Sequence, residues 1–116
     1  MLSFTVGGPE CYYNERGVNG GMFEILFPIN HGLLFYPGFD VLEPFIAYKA
    51  YGLSDERFQV ISKELRELLQ DLENEKPIPF RTQNGGYYDA QTLELKPNVM
   101  GPKGPGLKIH LKEQSE

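Results

Sequence analysis

Apolar and polar positions divide the chain into patterned stretches and a Pro/Gly-rich remainder. Leu2 to Val6 is a short apolar run ending on Gly7-Gly8-Pro9, the form of a buried strand that enters a turn. Pro9 to Gly20 is polar, contains Gly and Tyr, and has neither helical nor strand period. A loop of that length in a compact domain usually carries function. In "GMFEILFPINHGLLFY", Gly21 to Tyr36, apolar residues fall on nearly every helical face, so a helix there must be buried on more than one side. Pro28 has no N–H and its ring crowds the carbonyl of Glu24, which predicts a kink or restart, with Pro37-Gly38 as the stop.

Asp40 to Tyr48 reads as a strand, and Pro44 inside it cannot donate to a ladder, so it belongs at a sheet edge. Ser54 offers an N-cap, Asp55 and Glu56 suit the first turn, and Phe58, Ile61, Leu65, Leu68, Leu69 and Leu72 recur at three- and four-residue spacing. That spacing predicts an amphipathic helix ending near Glu75, before Pro77. Beyond Pro77 only Thr92 to Leu95 and Leu107 to Leu111 alternate enough for short extended pieces. The expected order is a β-α-β-α core over 1–76 and an irregular tail over 77–116 lying across a surface. Two parallel strands are too few for a stable sheet, so the pattern requires a partner or the rest of a larger α/β fold.

Composition narrows the partners. With 116 residues, 41% hydrophobic and 23% charged, the chain suits one ordinary globular domain. The net charge of −5, without a Lys/Arg stripe, argues against nucleic acid. Met22 to Tyr36 is too short and too interrupted to span a bilayer, and no signal peptide is evident. Cys11 is the lone cysteine and can form no internal disulfide, which fits a reducing compartment; a cytoplasmic location is expected.

Three stretches, "LSFTVGGPECYYNERGVNGGM", "ILFPINHGLLFYPGFDVLEPFIAY" and "PIPFRTQNGGYYD", together resemble the C-terminal half of the NAD(P)H:quinone oxidoreductase family, the last of them in its bacterial form. The resemblance implies a flavodoxin-like three-layer α/β/α fold, of which this chain would hold the C-terminal part: two parallel strands, two helices and an irregular tail. Leu2 to Val6 is then similar to the fourth strand of five and Asp40 to Tyr48 to the edge strand, with flavin outside the carboxyl ends. The family's first half, with its phosphate-binding loop, has no counterpart in these residues. "GPKGPG" at Gly101 to Gly106 is a poor substitute, because its prolines remove N–H donors.

The resemblance also assigns roles. Gly7 and Gly8, with Thr5 and Val6, would meet FMN or FAD, since backbone without Cβ can approach a planar ring and offer N–H groups to its pyrimidine oxygens. On sequence alone a plain turn pair is the commoner reading of the glycines, and the resemblance reverses that order. Tyr13 would lie near the flavin and the hydride acceptor, where a phenol can donate to developing negative charge; an aromatic loop anchor is its other reading, shared with Tyr12. Asn19 stands where the animal enzymes carry histidine, and it can donate a hydrogen bond but cannot relay a proton. Arg57 and Ile61 approximate positions near the adenine end of FAD in the animal branch, although an exposed Arg at a helix start needs no such role. His31, His110 and Cys11 have no neighbours at metal-ligand or nucleophile spacing and read as structural or incidental, and no metal is expected.

The expected function is flavin-dependent two-electron reduction of quinones by NAD(P)H, in a homodimer whose contact the doubly apolar helix Met22 to Tyr36 would supply. The alternative is a non-catalytic dimerising or regulatory quinone-reductase-like module, such as an ancillary subunit of potassium efflux, or a truncated inactive product. Little flavin affinity is expected of this segment alone, because a phosphate site carries much of the anchoring.

Overall fold

The computed structural model describes residues 1–99 and 106–114. Strand β1 (Ser3–Thr5) lies parallel to β2 (Phe45–Ala47), with Ser3 opposite Phe45 and Thr5 opposite Ala47. Between them run a 3-10 turn (Glu10–Tyr13), helix α1 (Met22–Phe27) and a π-helical segment (Pro28–Phe35), and helix α2 (Asp55–Gln70) follows. This is a partial α/β unit, a parallel strand pair joined through a helical crossover.

Pro28 neither breaks nor restarts the helix. It occupies the C-cap of α1 with helical dihedrals, and the chain continues as a wider helix in which the N–H of Tyr36 reaches the carbonyl of His31 at 2.8 Å. Widening the turn lets the chain pass a residue that cannot donate.

Strand β2 begins only after Pro44, so that proline stands outside the ladder and asks nothing of the sheet edge. Ahead of it the Val41 carbonyl accepts from Ile78 N–H at 2.7 Å. Helix α2 starts as its cap demands, with Arg57 N–H donating to Ser54 Oγ at 3.2 Å. Its apolar stripe is covered only in part: Ile61, Leu65 and Leu68 are half-buried, while Phe58 and Leu69 remain exposed.

Ala47 of β2 is buried, but the main cluster of the core draws on residues outside the strand pair. Val41, Ile78 and Phe80 are buried together, packed by Phe23, Phe27, Leu34, Phe35 and Leu111. The segment after Pro77 therefore enters the core as well as crossing a surface. Arg81 N–H donates to the His110 carbonyl at 2.9 Å and Lys112 N–H to the Pro79 carbonyl at 2.8 Å, fastening residues 78–81 between two other stretches.

Two extended pieces expected in this region take other forms. Leu107–His110 is a 3-10 turn, with only Leu111 bridging to Phe80. Thr92 sits in the turn of a hairpin that pairs Tyr88 with Leu95. Asp89 Oδ1 holds that turn, accepting from the N–H groups of Gln91 and Thr92 at 2.9 Å. Of "GPKGPG", Gly101 to Pro105 lie outside the described residues.

The chain exposes 8524 Å², where a compact monomer of its mass exposes about 6,400 Å². Its radius of gyration is 16.6 Å, against about 13 Å for a compact domain of that length. Ile25, Ile29, Leu33 and Tyr36 along the crossover helix are among the large apolar side chains left exposed.

Candidate functional site

The site is built at the carboxyl end of β1. Val6 closes the ladder, donating its N–H to the Ala47 carbonyl and accepting from Ala50 N–H, both at 3.0 Å. The Gly8 carbonyl accepts from Lys49 N–H at 2.9 Å, and Lys49 itself adopts a left-handed backbone, φ 52°. That conformation disfavours a side chain, and the adjoining bonds from Lys49 and Ala50 to β1 hold it. Among the described residues, neither Gly7 N–H nor Gly8 N–H donates to a backbone carbonyl. The strand thus ends in two amides without a backbone acceptor among the described residues.

The two glycines differ in what a side chain would meet. A Cβ at Gly7 would have open space for 4 Å around it, whereas one at Gly8 would stand 2.8 Å from Tyr12 Cδ2 and 3.5 Å from Tyr13 Cε2. Gly8 is small for the sake of this chain's own rings. Gly7 faces outward with room for a flat molecule to approach its backbone.

The loop 9–20 is ordered by its own hydrogen bonds. Tyr12 N–H donates to the Pro9 carbonyl, Gly17 N–H to that of Asn14, and Asn19 N–H to that of Tyr12, all within 3.0 Å. A Cβ on Gly17 would come within 2.4 Å of the Tyr12 carbonyl group, so the loop closes only with glycine there. Tyr13 is thereby held half-buried at the strand end, its ring 5.9 Å from that of Tyr48. Burial and the nearby Glu10 raise the Tyr48 phenol above its ordinary range, so it stays protonated at neutral pH. Asn19 is exposed and its backbone is fixed on the same loop.

Arg57 reaches this region from α2. Its guanidinium donates to the Tyr48 carbonyl at 3.3 Å, and it lines a shallow groove of about 600 Å³ with Pro9, Glu10, Cys11, Asn14 and Lys49. Ile61, one turn further along α2, is half-buried and does not line that groove. The structure therefore gathers Thr5, Val6, Gly7, Gly8, Tyr13, Tyr48 and Arg57 around one end of the strand pair and leaves Ile61 out of the groove. Tyr48 carries no signal of its own in the sequence, where it reads as one more strand aromatic.

Comparison with known proteins supplies relatives of this chain. A ribosyldihydronicotinamide dehydrogenase-like protein of Penicillium crustosum is 41% identical over 116 residues, all of this chain and 42% of that protein. A solved structure described as a quinone reductase of Klebsiella pneumoniae superposes with a TM-score of 0.90 at 44% identity, over 97% of this chain and 43% of that one. Over its whole length the chain is similar to part of the longer proteins of the NAD(P)H:quinone oxidoreductase family. Rat NAD(P)H dehydrogenase [quinone] 1 is 38% identical over 81 residues, 69% of this chain and 29% of that protein. The chain thus spans about two fifths of the length of the first relatives it matches, and the rat match stops short of its whole length. No family model matches the chain.

Among the described residues, no cluster of His, Cys, Asp or Glu could hold a metal, and no helix is long and apolar enough to cross a membrane. Cys11 is exposed on the loop. His31 and His110, which look unrelated in the sequence, come together: their rings are 5.9 Å apart, His31 stacks on Phe27 at 4.5 Å, and His110 Nδ1 meets Tyr88 Oη at 2.9 Å.

Proposed function

We propose that this segment is the flavin-facing strand end of an NAD(P)H:quinone oxidoreductase that reduces quinones by two electrons. The observation that carries this reading is the pair of unpartnered amides at Gly7 and Gly8, with open space at Gly7 and Tyr13 beside them. The residues fit a flat, acceptor-rimmed ring such as that of FMN or FAD, whose pyrimidine oxygens suit two adjacent N–H donors. When bound, the flavin supplies the hydride chemistry between NAD(P)H and quinone.

The chain's own residues then bind and orient. Thr5 and Val6 fix the strand end by pairing with Ala47, so the two amides point in a set direction. Tyr13 offers a phenol to negative charge that develops nearby, a preorganised donor that costs no rearrangement when charge appears. Asn19 supplies a donor without a titrating group, so proton transfer here does not pass through it. Arg57 suits the outlying, phosphate or adenine, end of a cofactor, and Ile61 would touch it only if the cofactor extends along α2. The exposed apolar stripe of the crossover helix suits a second copy, making a homodimer, and a cytoplasmic setting agrees with the lone exposed Cys11.

Flavin fluorescence quenching and NAD(P)H-dependent reduction of menadione test the reading, with the chain alone and with the remaining part of the Klebsiella protein added. Weak binding alone, strong binding and turnover in the mixture, and loss of both in Gly7→Val are expected. Equal flavin binding by wild type and Gly7→Val, or none in either preparation, sinks it.

A further inference from the structure

The loop that carries Tyr13 is tied to the far end of the chain. Lys108 Nζ donates to Glu15 Oε1 at 2.9 Å, across 93 residues of sequence. The N–H bonds of Tyr12, Gly17 and Asn19 join the loop to itself, so they set its shape and leave its place on the body to other contacts. Tyr13 meets the Tyr48 ring on one side, and the bond from Lys108 reaches the loop two residues further on. We propose that Lys108 is a positioning residue for Tyr13, acting through Glu15 to hold the loop at the strand end.

The clamp has a firm base. Lys108 belongs to the 3-10 turn Leu107–His110, and that turn is fastened to the core segment: Arg81 N–H donates to the His110 carbonyl at 2.9 Å and Arg81 Nε to the Ile109 carbonyl at 3.3 Å. Arg81 is fully buried beside Phe80, and Leu111 bridges to Phe80. The ammonium is thus delivered from a backbone anchored in the core to a loop whose own bonds are local. A bond between ionised partners is stronger than a neutral one and fixes direction as well as distance. It lowers the Glu15 carboxyl and raises the Lys108 amine from their ordinary values, and the charge of Glu24 on α1 adds to the effect on Lys108.

Exposure separates placement from stability. The two side chains are 44% and 78% open to water, and ion pairs so placed contribute little to global stability. Losing this one should free the loop and leave the core intact. The consequence for turnover rests on the quinone reductase reading, because only there does Tyr13 face reacting atoms; the clamp itself is a property of this chain.

The test measures amide hydrogen exchange by NMR in the full chain and in Lys108→Gln, Glu15→Gln, the double variant and Lys108→Arg. Lys108→Gln should speed exchange of the Gly17 and Asn19 amides roughly two- to fivefold, with Ile78 and Phe80 unchanged. Lys108→Arg should keep the wild-type rates, and the double variant should be no faster than either single one. Unchanged loop rates in Lys108→Gln, equal acceleration at Ile78 and Phe80, or additive effects in the double variant overturns the clamp. With the remaining part of the Klebsiella protein added, Lys108→Gln should lower kcat on menadione by a similar factor at constant KM, and Lys108→Arg should restore it. A freed loop with unchanged kcat overturns the positioning role. Absence of turnover in the wild-type mixture counts against the quinone reductase reading instead, while the exchange rates still decide the clamp.

Discussion

The Tyr12 ring occupies the space a side chain at Gly8 would need, with Cδ2 only 2.8 Å from a Cβ there, while Gly7 next to it meets nothing within 4 Å. Two adjacent glycines are thus small for different reasons. Gly8→Ala should overpack the loop and cost roughly 1–3 kcal/mol, with Tyr12→Ala in the same chain restoring part of the loss. Gly7→Ala should change stability by less than about 0.5 kcal/mol yet weaken flavin. Chemical denaturation of the three variants checks the first claim; equal destabilisation by both glycine changes would refute it.

The loop that holds Tyr13 is ordered by backbone bonds and by the side chains of Asn14 and Glu15, so removing the Tyr13 hydroxyl should leave the fold unchanged. Tyr13→Phe in the reconstituted enzyme is expected to lower kcat on the order of 10²-fold, the effect of deleting one preorganised donor, with little change in KM. Steady-state kinetics with menadione decides it. A raised KM at constant kcat would make Tyr13 a binding residue only.

What the sequence made legible was whatever repeats along it. The stripe from Phe58 to Leu72 identified α2, Ser54 marked its cap, and the short run before Gly7 located β1. What it hid depends on single residues meeting across long separations. Ile78 and Phe80 stand among prolines with no period, yet they fill the core against Val41. The pairing of His31 with His110 could not be read from spacing at all. At Pro28 the local rule held, since the proline donates nothing, but the chain met it by widening the helix rather than by breaking it. Of the candidate site, the strand end and Tyr13 follow a contiguous motif, whereas Tyr48 arrives through the register of β2 with β1.

Phe80 tests the claim that the core lies with the tail. It is 2% exposed and touches the rings of Phe23, Phe27, His31 and Phe35. Phe80→Ala should cost roughly 3–5 kcal/mol, enough to unfold the tail in a chain of this size. Urea denaturation measures it. A cost no larger than that of a surface substitution would place the core elsewhere.

Stability should fall with acid near the histidine pair. Burial lowers both imidazoles below their ordinary 6.5, with His110 adding to the effect on His31 and Arg81 to that on His110. Unfolding frees them to take up protons more readily, so their contribution is complete above pH 6.5 and is lost as pH falls through their lowered values. Phe27, Phe35, Phe80 and Tyr88 pack against them and Arg81 adds positive charge, while Asp40, which lines a cleft with both histidines, does not reverse the direction. Asp89 adds a loss of the same sign at lower pH, since the N–H groups of Thr92 and Gln91 hold its carboxyl below the usual range. Thermal midpoints from pH 7.5 to 5 should decline, and His31→Gln with His110→Gln should flatten the decline above pH 5. An unchanged slope in the double variant would locate the titration elsewhere.

The exposed stripe on the crossover helix should make the chain self-associate. Ile25, Ile29, Leu33 and Tyr36 recur at four- and three-residue steps on α1 and the π-helical segment, and all are more than a third exposed. An apolar row of this kind is costly to leave in water, and a two-fold contact between copies covers both rows at once. Leu33, 68% exposed, contributes little to the monomer's own packing, so Leu33→Glu should spare the fold while placing like charges opposite each other in a symmetric contact. Sedimentation equilibrium is expected to show a dimer for the wild-type chain and a monomer for Leu33→Glu at the same concentration. A wild-type monomer at tens of micromolar, or a dimer indifferent to Leu33→Glu, would remove this face from the assembly.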